Sequence, residues 1–386
     1  MTTHVFIVNS TTFKYHLEFL FAGTGAGEDS MDFNESKTTT LSGGKENKLA
    51  SMIADASRIR KGDFIIFYLL QKVDENEGKF YGIFKATRNC SFLDNNDKKQ
   101  FLKDKLEKSL TFRTLIEPYK VYAEGVTEWE ALDEIKNIAS PNQMLWSLIY
   151  RKLRAKRGNT MVTIYESERL CQLIRNKNNK ITLDCDGKLI SYDFEVQKII
   201  IKEEKQNSYK GKSEEVNVLP RLIRKFNDGK AFEAHLQAYI VKNIGSGINK
   251  SLDESIIGDG IIEWIGNEVS VGVGMQRIDV MLSFIQNEQR ICMPIELKAV
   301  EATTQNLTQI QRYIDWIEQY YIPNLQSDIQ PVLITKKIQD KDSANYKNLI
   351  NSFKAFNESN SNRNNKLRYI EFNIENEKLK FENITY

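Results

Sequence analysis

Four cysteines in 386 residues, Cys90, Cys171, Cys185 and Cys292, stand far apart with no Cys-x-x-Cys, which excludes a disulfide framework and a cysteine metal cluster. Thiols used so sparsely read as reduced, intracellular ones. The chain has only three histidines, His4, His16 and His235, and that scarcity argues against zinc. Long apolar runs are also missing. The strongest, Phe64-Ile-Ile-Phe-Tyr-Leu-Leu70, is far short of the roughly 20 residues a spanning helix needs. No basic leader with an apolar stretch opens the sequence, so a soluble, cytoplasmic protein is expected. Charge of one sign is lacking as well: 54 Lys and Arg face 52 Asp and Glu, for a net charge of +2. Bulk charge therefore does not attract polyanions, and any nucleic-acid surface must be local.

What the chain does have is an aspartate and a Glu-x-Lys on successive strand-like runs, Arg277-Ile-Asp279-Val-Met-Leu282 and Ile291-Cys-Met-Pro-Ile-Glu296-Leu-Lys298. Side chains alternate along a strand, so Glu296 and Lys298 share a face while Leu297 points into the core. If the runs pair through the turn Gln286-Asn-Glu-Gln289, Asp279 joins them. Glu-x-Lys also occurs at Glu46, Glu77, Glu134 and Glu203, in polar surroundings where a solvated charged face explains it. Only Glu296 has apolar neighbours, where a charge is costly unless a partner or metal offsets its desolvation. Two carboxylates offer hard oxygen ligands to Mg²⁺, and a lysine beside them can orient water and offset charge developing on phosphorus. The constellation reads as a metal-dependent phosphodiester hydrolase.

Two helices are expected beside it. Residues 229–244 place Phe232, Leu236, Tyr239, Ile240 and Ile244 at helical spacing, with Glu233 at the edge of that face. Residues 305–321 align Leu307, Ile310, Ile314, Ile317 and Tyr321, and Gln309 and Tyr313, four apart, share a second face. Each alone is an ordinary amphipathic helix. In this order, Phe-Glu233-Ala-His-Leu-Gln-Ala-Tyr-Ile, Arg-Ile-Asp279-Val, Ile-Glu296-Leu-Lys298 and Gln309-Ile-Gln-Arg-Tyr-Ile-Asp-Trp, the segments resemble the PD-(D/E)XK nuclease superfamily, and within it the catalytic domain of NucS (EndoMS)-type endonucleases. The resemblance covers 216–386. It implies a site of Glu233, Asp279, Glu296, Lys298 and Gln309, with Asp279, Glu296 and Glu233 on Mg²⁺ and Mn²⁺ as a substitute. Pro294 within the second strand implies an edge or a bulge there. The stretch between Ile244 and Met275 is long and Gly-rich, which leaves the strand register open.

A domain boundary is expected in the polar stretch 202–215, where nothing supports a core. Before it, 181–184 and 191–201 read as strands around Asp186-Gly187. At 386 residues two domains are the default. The first reads as β-rich with helical insertions: strands at 4–8, 64–70 and 78–86, with a helix at 48–57 and a Lys61-Gly-Asp turn. Followed by Leu110-Thr-Phe-Arg-Thr-Leu-Ile-Glu-Pro118 and Arg157-Gly-Asn-Thr-Met-Val-Thr-Ile-Tyr165, this succession resembles the PUA-like fold in its EVE and YTH-like branches over 1–175. That resemblance implies a small barrel around a pocket for a flipped, often modified base.

Such a pocket needs aromatic faces and polar groups. Candidates are Trp146 and Tyr150, and Asn9 and Ser10 after the first strand; core packing and a plain turn are the ordinary alternatives. Arg151-Lys152-Leu-Arg154-Ala-Lys156-Arg157 is the densest basic cluster and offers phosphate contacts, or else a solvated helix end. Gly23-Thr-Gly-Ala-Gly27 lacks the Gly-Lys-Ser/Thr ending of a phosphate loop and reads as a flexible loop.

The expectation is a two-domain protein of the α+β or α/β class: an N-terminal PUA-like small β-barrel with helices over 1–175, a hairpin and linker over 176–215, and a C-terminal PD-(D/E)XK restriction-endonuclease-like mixed sheet flanked by helices over 216–386. Its expected activity is Mg²⁺-dependent endonuclease cleavage of double-stranded DNA carrying a modified base, as in modification-dependent restriction, by a homodimer. The alternatives are a mismatch-directed repair endonuclease and a non-catalytic nucleic-acid reader.

Overall fold

The computed structural model describes residues 1–25, 43–72, 77–94, 99–146, 158–271, 277–321 and 325–386. Described residues up to 25 and from 55 to 216 form one compact unit; those from 43 to 54 and from 217 onward form another. Both units mix helices and sheet, an α+β architecture.

The first unit opens with β1 (Thr3–Val8), α1 (Ser10–Glu18) and β2 (Phe21–Thr24), followed by α2 (Gly43–Ser57), which carries residues of both units. The strands β3 (Phe64–Leu69), β4 (Lys79–Ala86) and β5 (Phe92–Leu93) precede a short α3 (Lys103–Leu106). Next come β6 (Phe112–Pro118), β7 (Val126–Thr127), α4 (Glu128–Asp133), β8 (Asn159–Val162) and α5 (Ile164–Lys177). A hairpin of β9 (Lys188–Asp193) and β10 (Lys198–Lys205) ends the unit's regular structure. Reciprocal side-chain and backbone hydrogen bonds start α4 at Thr127 and Glu130 and α5 at Thr163 and Glu166. The sheet runs β2-β6-β4-β3-β1-β8, with β1 parallel to β3. Its end strands do not pair with each other, but they approach: a Cβ added to Gly158, just before β8, would lie 2.8 Å from the Thr24 side chain at the end of β2. The result is an open barrel. Phe6, Phe13, Phe67, Tyr81 and Phe84 fill it, with Ile190, Tyr192 and Ile199 of the hairpin packed against them.

Three sequence expectations change here. No strand forms at 181–184, and the hairpin turns at 194–197 instead of Asp186-Gly187. Gly23 lies in β2 opposite Arg113, so the Gly23–Thr24 part of the expected loop is strand; Ala26 and Gly27 lie outside the described residues. The polar stretch 202–215 is not coreless. Lys202 and Lys205 are in β10, and Tyr209 packs edge-on against Phe92 at 5.5 Å and Phe101 at 5.0 Å. The Tyr209 hydroxyl donates to Asp94 Oδ2 at 2.5 Å, and that fully buried carboxylate pairs with fully buried Arg113 at 3.3 Å. One aromatic in a polar run is enough to pin it. Tyr209→Ala is expected to cost the first unit about 3 kcal/mol, from the lost ring contacts and the weakened support of the buried ion pair. Urea unfolding checks this, and a change within about 0.5 kcal/mol would return the stretch to a linker.

The second unit begins with α6 (Leu219–Asn227), α7 (Glu233–Asn243) and α8 (Lys250–Ile256). A sheet then runs in sequence order through β11 (Ile261–Ser270), β12 (Arg277–Gln286), β13 (Gln289–Leu297), β14 (Val332–Lys336), β15 (Arg368–Glu375) and β16 (Lys378–Asn383). Parallel neighbours need crossovers. They are supplied by α9 (Gln305–Tyr320) between β13 and β14 and α10 (Ala344–Ser359) between β14 and β15. The other pairings are antiparallel. Asn287 and Glu288, both at positive φ (50° and 66°), make the two-residue turn that closes β12 onto β13. The expected helical face of α7 is buried at Phe232, Leu236, Tyr239, Ile240 and Ile244.

Pro294 turns out to be neither at an edge nor in a bulge. Its strand is central, and the register runs unbroken from Val280 opposite Ile295 to Gln286 opposite Gln289. The Cys292 carbonyl accepts the Gln330 N–H on the β14 side, so Pro294, two residues on, turns its missing N–H to that same side. The parallel ladder with β14 begins only at Ile295, so the strand forfeits no ladder bond at the proline. Part of the Gly-rich stretch before Met275 is likewise a strand, β11, paired with β12 along most of its length.

Candidate active site

The register decides which acids meet. Val280 lies opposite Ile295, which sets Asp279 beside Glu296, and Asn267 opposite Val280 with Val269 opposite Ile278 sets Glu268 beside Asp279. Acidic residues of three neighbouring strands thus stand in one row. Glu296 is 1 % exposed, and its two oxygens are engaged separately: Oε1 by the Lys298 ammonium at 2.5 Å, Oε2 by the Tyr313 hydroxyl of α9 at 2.6 Å. Asp279 Oδ2 accepts the Leu297 N–H at 2.8 Å, which ties the aspartate to the strand carrying Glu296. Gln237 of α7 donates to the Asp279 carbonyl at 2.8 Å, and Arg277 pairs with Glu268 at 2.7 Å. Glu233, the first residue of α7, is half-exposed, with Oε1 3.8 Å from the Lys298 ammonium.

Burial pushes the Asp279 carboxyl well above the ordinary carboxylate range, and the Glu296 charge adds to it; the Leu297 N–H and Lys298 act the other way without prevailing. Glu233 is raised for the same reason, burial first, with Lys298 opposing and Glu296 reinforcing. Burial pulls Lys298 down, but the charges of Glu296, Glu233 and Asp279 and its hydrogen bond to Glu296 outweigh this and hold the ammonium above its usual value. The lysine therefore stays charged among acids that repel one another.

Asp279, Glu296 and Lys298 are brought together, and Glu233 reaches the group through the lysine. Gln309 is half-buried on α9, and no side-chain hydrogen bond ties it to the group among the described residues. Tyr313, one turn later on the same face, takes the place expected for it. The spacing identifies that face of α9, but its rotation against the sheet is a tertiary property. Glu268 escaped the sequence reading because it sits in the Gly-rich stretch, in a strand, at a positive φ of 52° that its sequence does not signal.

The donor set suits Mg²⁺ in kind, being hard carboxylate oxygens whose mutual repulsion a cation would relieve. Among the described residues, however, no three His, Cys, Asp or Glu side chains converge to hold a metal ion. Glu233, half-exposed with Oε1 3.8 Å from the Lys298 ammonium, does not join Asp279 and Glu296 in such a set among the described residues. Mg²⁺ commonly binds through one or two carboxylates and completes its shell with water and substrate phosphate. Asp279 and Glu296 meet that lower requirement.

In the first unit, the Asn9 side chain caps α1, with Oδ1 accepting the Thr12 N–H at 3.0 Å and the Thr12 hydroxyl at 2.8 Å, and Ser10 is the first residue of that helix. Trp146 is half-buried. Tyr150, Arg151, Lys152, Arg154, Lys156 and Arg157 lie outside the described residues. No described helix is long and apolar enough to cross a membrane.

No family model and no curated protein matches the chain. Among solved structures, a hypothetical protein from Leishmania major is 10 % identical, with a TM-score of 0.29, over 46 % of this chain and 96 % of its own. The human THYN1 protein, solved in complex with 5-methylcytosine-containing DNA, is 10 % identical, with a TM-score of 0.26, over 45 % of this chain and 97 % of its own.

Proposed function

We propose that the protein is a Mg²⁺-dependent DNA endonuclease in which the second unit, of PD-(D/E)XK type, cuts, and the first, of PUA-like type, reads an extruded modified base. The observation that carries the catalytic half is the meeting of Asp279, Glu296 and Lys298 across β12 and β13, with Asp279 raised by burial beside a second carboxylate. Perturbed acids grouped around one charged lysine are what a hydrolytic site requires. Asp279 and Glu296 would hold Mg²⁺, which when bound offers Lewis-acid stabilisation of phosphate oxygens. Lys298 orients the attacking water and counters charge developing on the phosphoryl group. Tyr313 fixes the Glu296 carboxylate, and Glu233 shares the lysine's charge at the open side. The reading half rests on the order of strands and helices in the sequence and is compatible with an open barrel. Cutting both strands of a duplex calls for two such centres, hence a homodimer.

The test incubates the full chain and Asp279→Ala with Mg²⁺ and matched duplexes that are unmodified, mismatched, methylated or hydroxymethylated. Cleavage confined to modified duplex and abolished by Asp279→Ala is expected. Cleavage of mismatches alone would make it a repair endonuclease, and binding without cleavage anywhere would overturn the catalytic assignment.

A further inference from the structure

The first unit holds a cavity of about 430 Å³ lined by none of the site residues named above, formed where β3, β4 and the segment after β6 face α5 and the residues that follow it. Its inner wall is aromatic and apolar: buried Ile83 and Tyr122, with Phe64 stacked on Tyr119 at 5.4 Å and 19°. Its rim is cationic. Lys120, Arg175 and Lys180 line it, all exposed, and none forms an ion pair among the described residues. Lys85 adds a fourth positive charge 3.8 Å from the Tyr119 ring centre. Three other cations of this unit have acidic partners: Lys177 pairs with Glu130, Lys198 with Glu124 and Arg169 with Glu134. Three uncompensated cations around one concavity, with Glu168 the only acid lining it among the described residues, make a local anion trap on a chain with almost no net charge. Gln172 and Asn176 of α5 lie between the cations and supply neutral donors and acceptors.

We infer that this cavity binds a nucleotide unit, with its phosphate among Lys120, Arg175 and Lys180 and its planar base against the Phe64, Ile83 and Tyr122 wall. The volume falls in the range of about 300 to 1,000 Å³ usual for small-molecule sites. Neither half of the site explains the other: an apolar cleft needs no unpaired cations, and a phosphate patch needs no aromatic wall. The unit can be a free nucleotide or one residue of a strand.

The experiment measures binding of AMP, adenosine, inorganic phosphate and a short oligodeoxyadenylate to the full chain by calorimetry. It is repeated on Arg175→Glu and on Ile83→Ala, with each variant's melting temperature recorded. AMP is expected to bind one to one and at least about tenfold more tightly than adenosine or phosphate, as charge-assisted contacts and ring burial add. Arg175→Glu, on an exposed helix face, should weaken AMP by about tenfold or more without changing melting. Oligonucleotide competing with AMP assigns the site to a strand, and failure to compete assigns it to free nucleotide. No AMP binding, or AMP binding unchanged in Arg175→Glu, overturns the inference. None of these outcomes depends on Asp279, so they stand apart from the cleavage test.

Discussion

Asp279→Asn is expected to abolish cleavage and yet melt at a higher temperature than the native chain in metal-free buffer. The two effects share one cause. Asp279 sits beside Glu296 in adjacent strands, and burial and that neighbour raise its carboxyl well above the ordinary range, more than the Leu297 N–H and Lys298 can offset. A carboxyl that holds its proton more tightly folded than unfolded favours folding at low pH and opposes it once ionised. Stability from this group is therefore present in acid and lost as pH rises through the folded value, so above the ordinary carboxylate range the aspartate opposes folding. Asparagine keeps the shape and can still accept the Leu297 N–H through its carbonyl, now 2.8 Å from the aspartate oxygen, while removing the charge. The same change deletes one of two carboxylates available to Mg²⁺, for which a loss of about 10³-fold or more in single-turnover rate is expected. Mg²⁺ should raise the native melting temperature and leave that of the variant unmoved, since only the native site gains from binding. A variant that melts lower in metal-free buffer, or still cuts, would mean that Asp279 is an ordinary strand residue. Sites that trade stability for charge in this way are where stabilising substitutions cost function.

The parts of this site legible in the sequence are those set by short-range geometry. Strand alternation alone puts Glu296 and Lys298 on one face, and the two-residue turn at Asn287-Glu288 brings Asp279 to them. Helical periodicity finds α7 and the correct face of α9, but it cannot choose between Gln309 and Tyr313, because the choice depends on how α9 rotates over β13. Glu268 was hidden by a different rule: glycines ahead of it suggest loop, whereas pairing with β12 makes a strand. Tyr209 shows the converse, a polar stretch overridden by a single ring with three aromatic neighbours. In the first unit Asn9, read as a pocket residue or a plain turn, instead caps α1 through Thr12. What no local pattern could show is the allegiance of α2. It reads as a first-domain helix, yet its described residues through Ala54 group with the second unit. The reason is a contact spanning 175 residues, between Glu46 and Arg221.

Glu46→Ala is accordingly expected to be among the most destabilising single substitutions in the second unit. Glu46 is 4 % exposed and takes Arg221 in a two-pronged grip, Nε at 2.8 Å and Nη2 at 3.0 Å. Lys225 lies at 3.5 Å and His235 Nε2 at 3.0 Å. Burial alone would raise this carboxyl, but the Arg221 hydrogen bonds and the neighbouring positive charges outweigh it and hold the pKa down at about 2. Burial lowers the His235 imidazole to about 4 despite the pull of Glu46, so near neutrality it is uncharged and donates through Nε2–H. Removing the carboxylate takes the shared anionic partner from two mostly buried cations and the acceptor from the histidine's Nε2–H, at a cost of about 3 to 5 kcal/mol. For a unit of this size that is a drop of about 10 °C in its melting temperature. Glu46→Gln retains one acceptor and the volume and should lose less. The sign of the pH response follows from both depressed values. His235 binds its proton less readily folded than unfolded, so stability falls as pH drops from its ordinary 6.5 toward about 4. Glu46 behaves likewise, its contribution falling as pH drops from 4.5 toward about 2. The native unit should lose stability in both windows, and Glu46→Ala should lack the lower one. Urea unfolding of both chains between pH 7 and 3 checks this. Equal stabilities at pH 7, or parallel losses below pH 4.5, would show that α2 is held to its unit by apolar packing and not by this ion cluster.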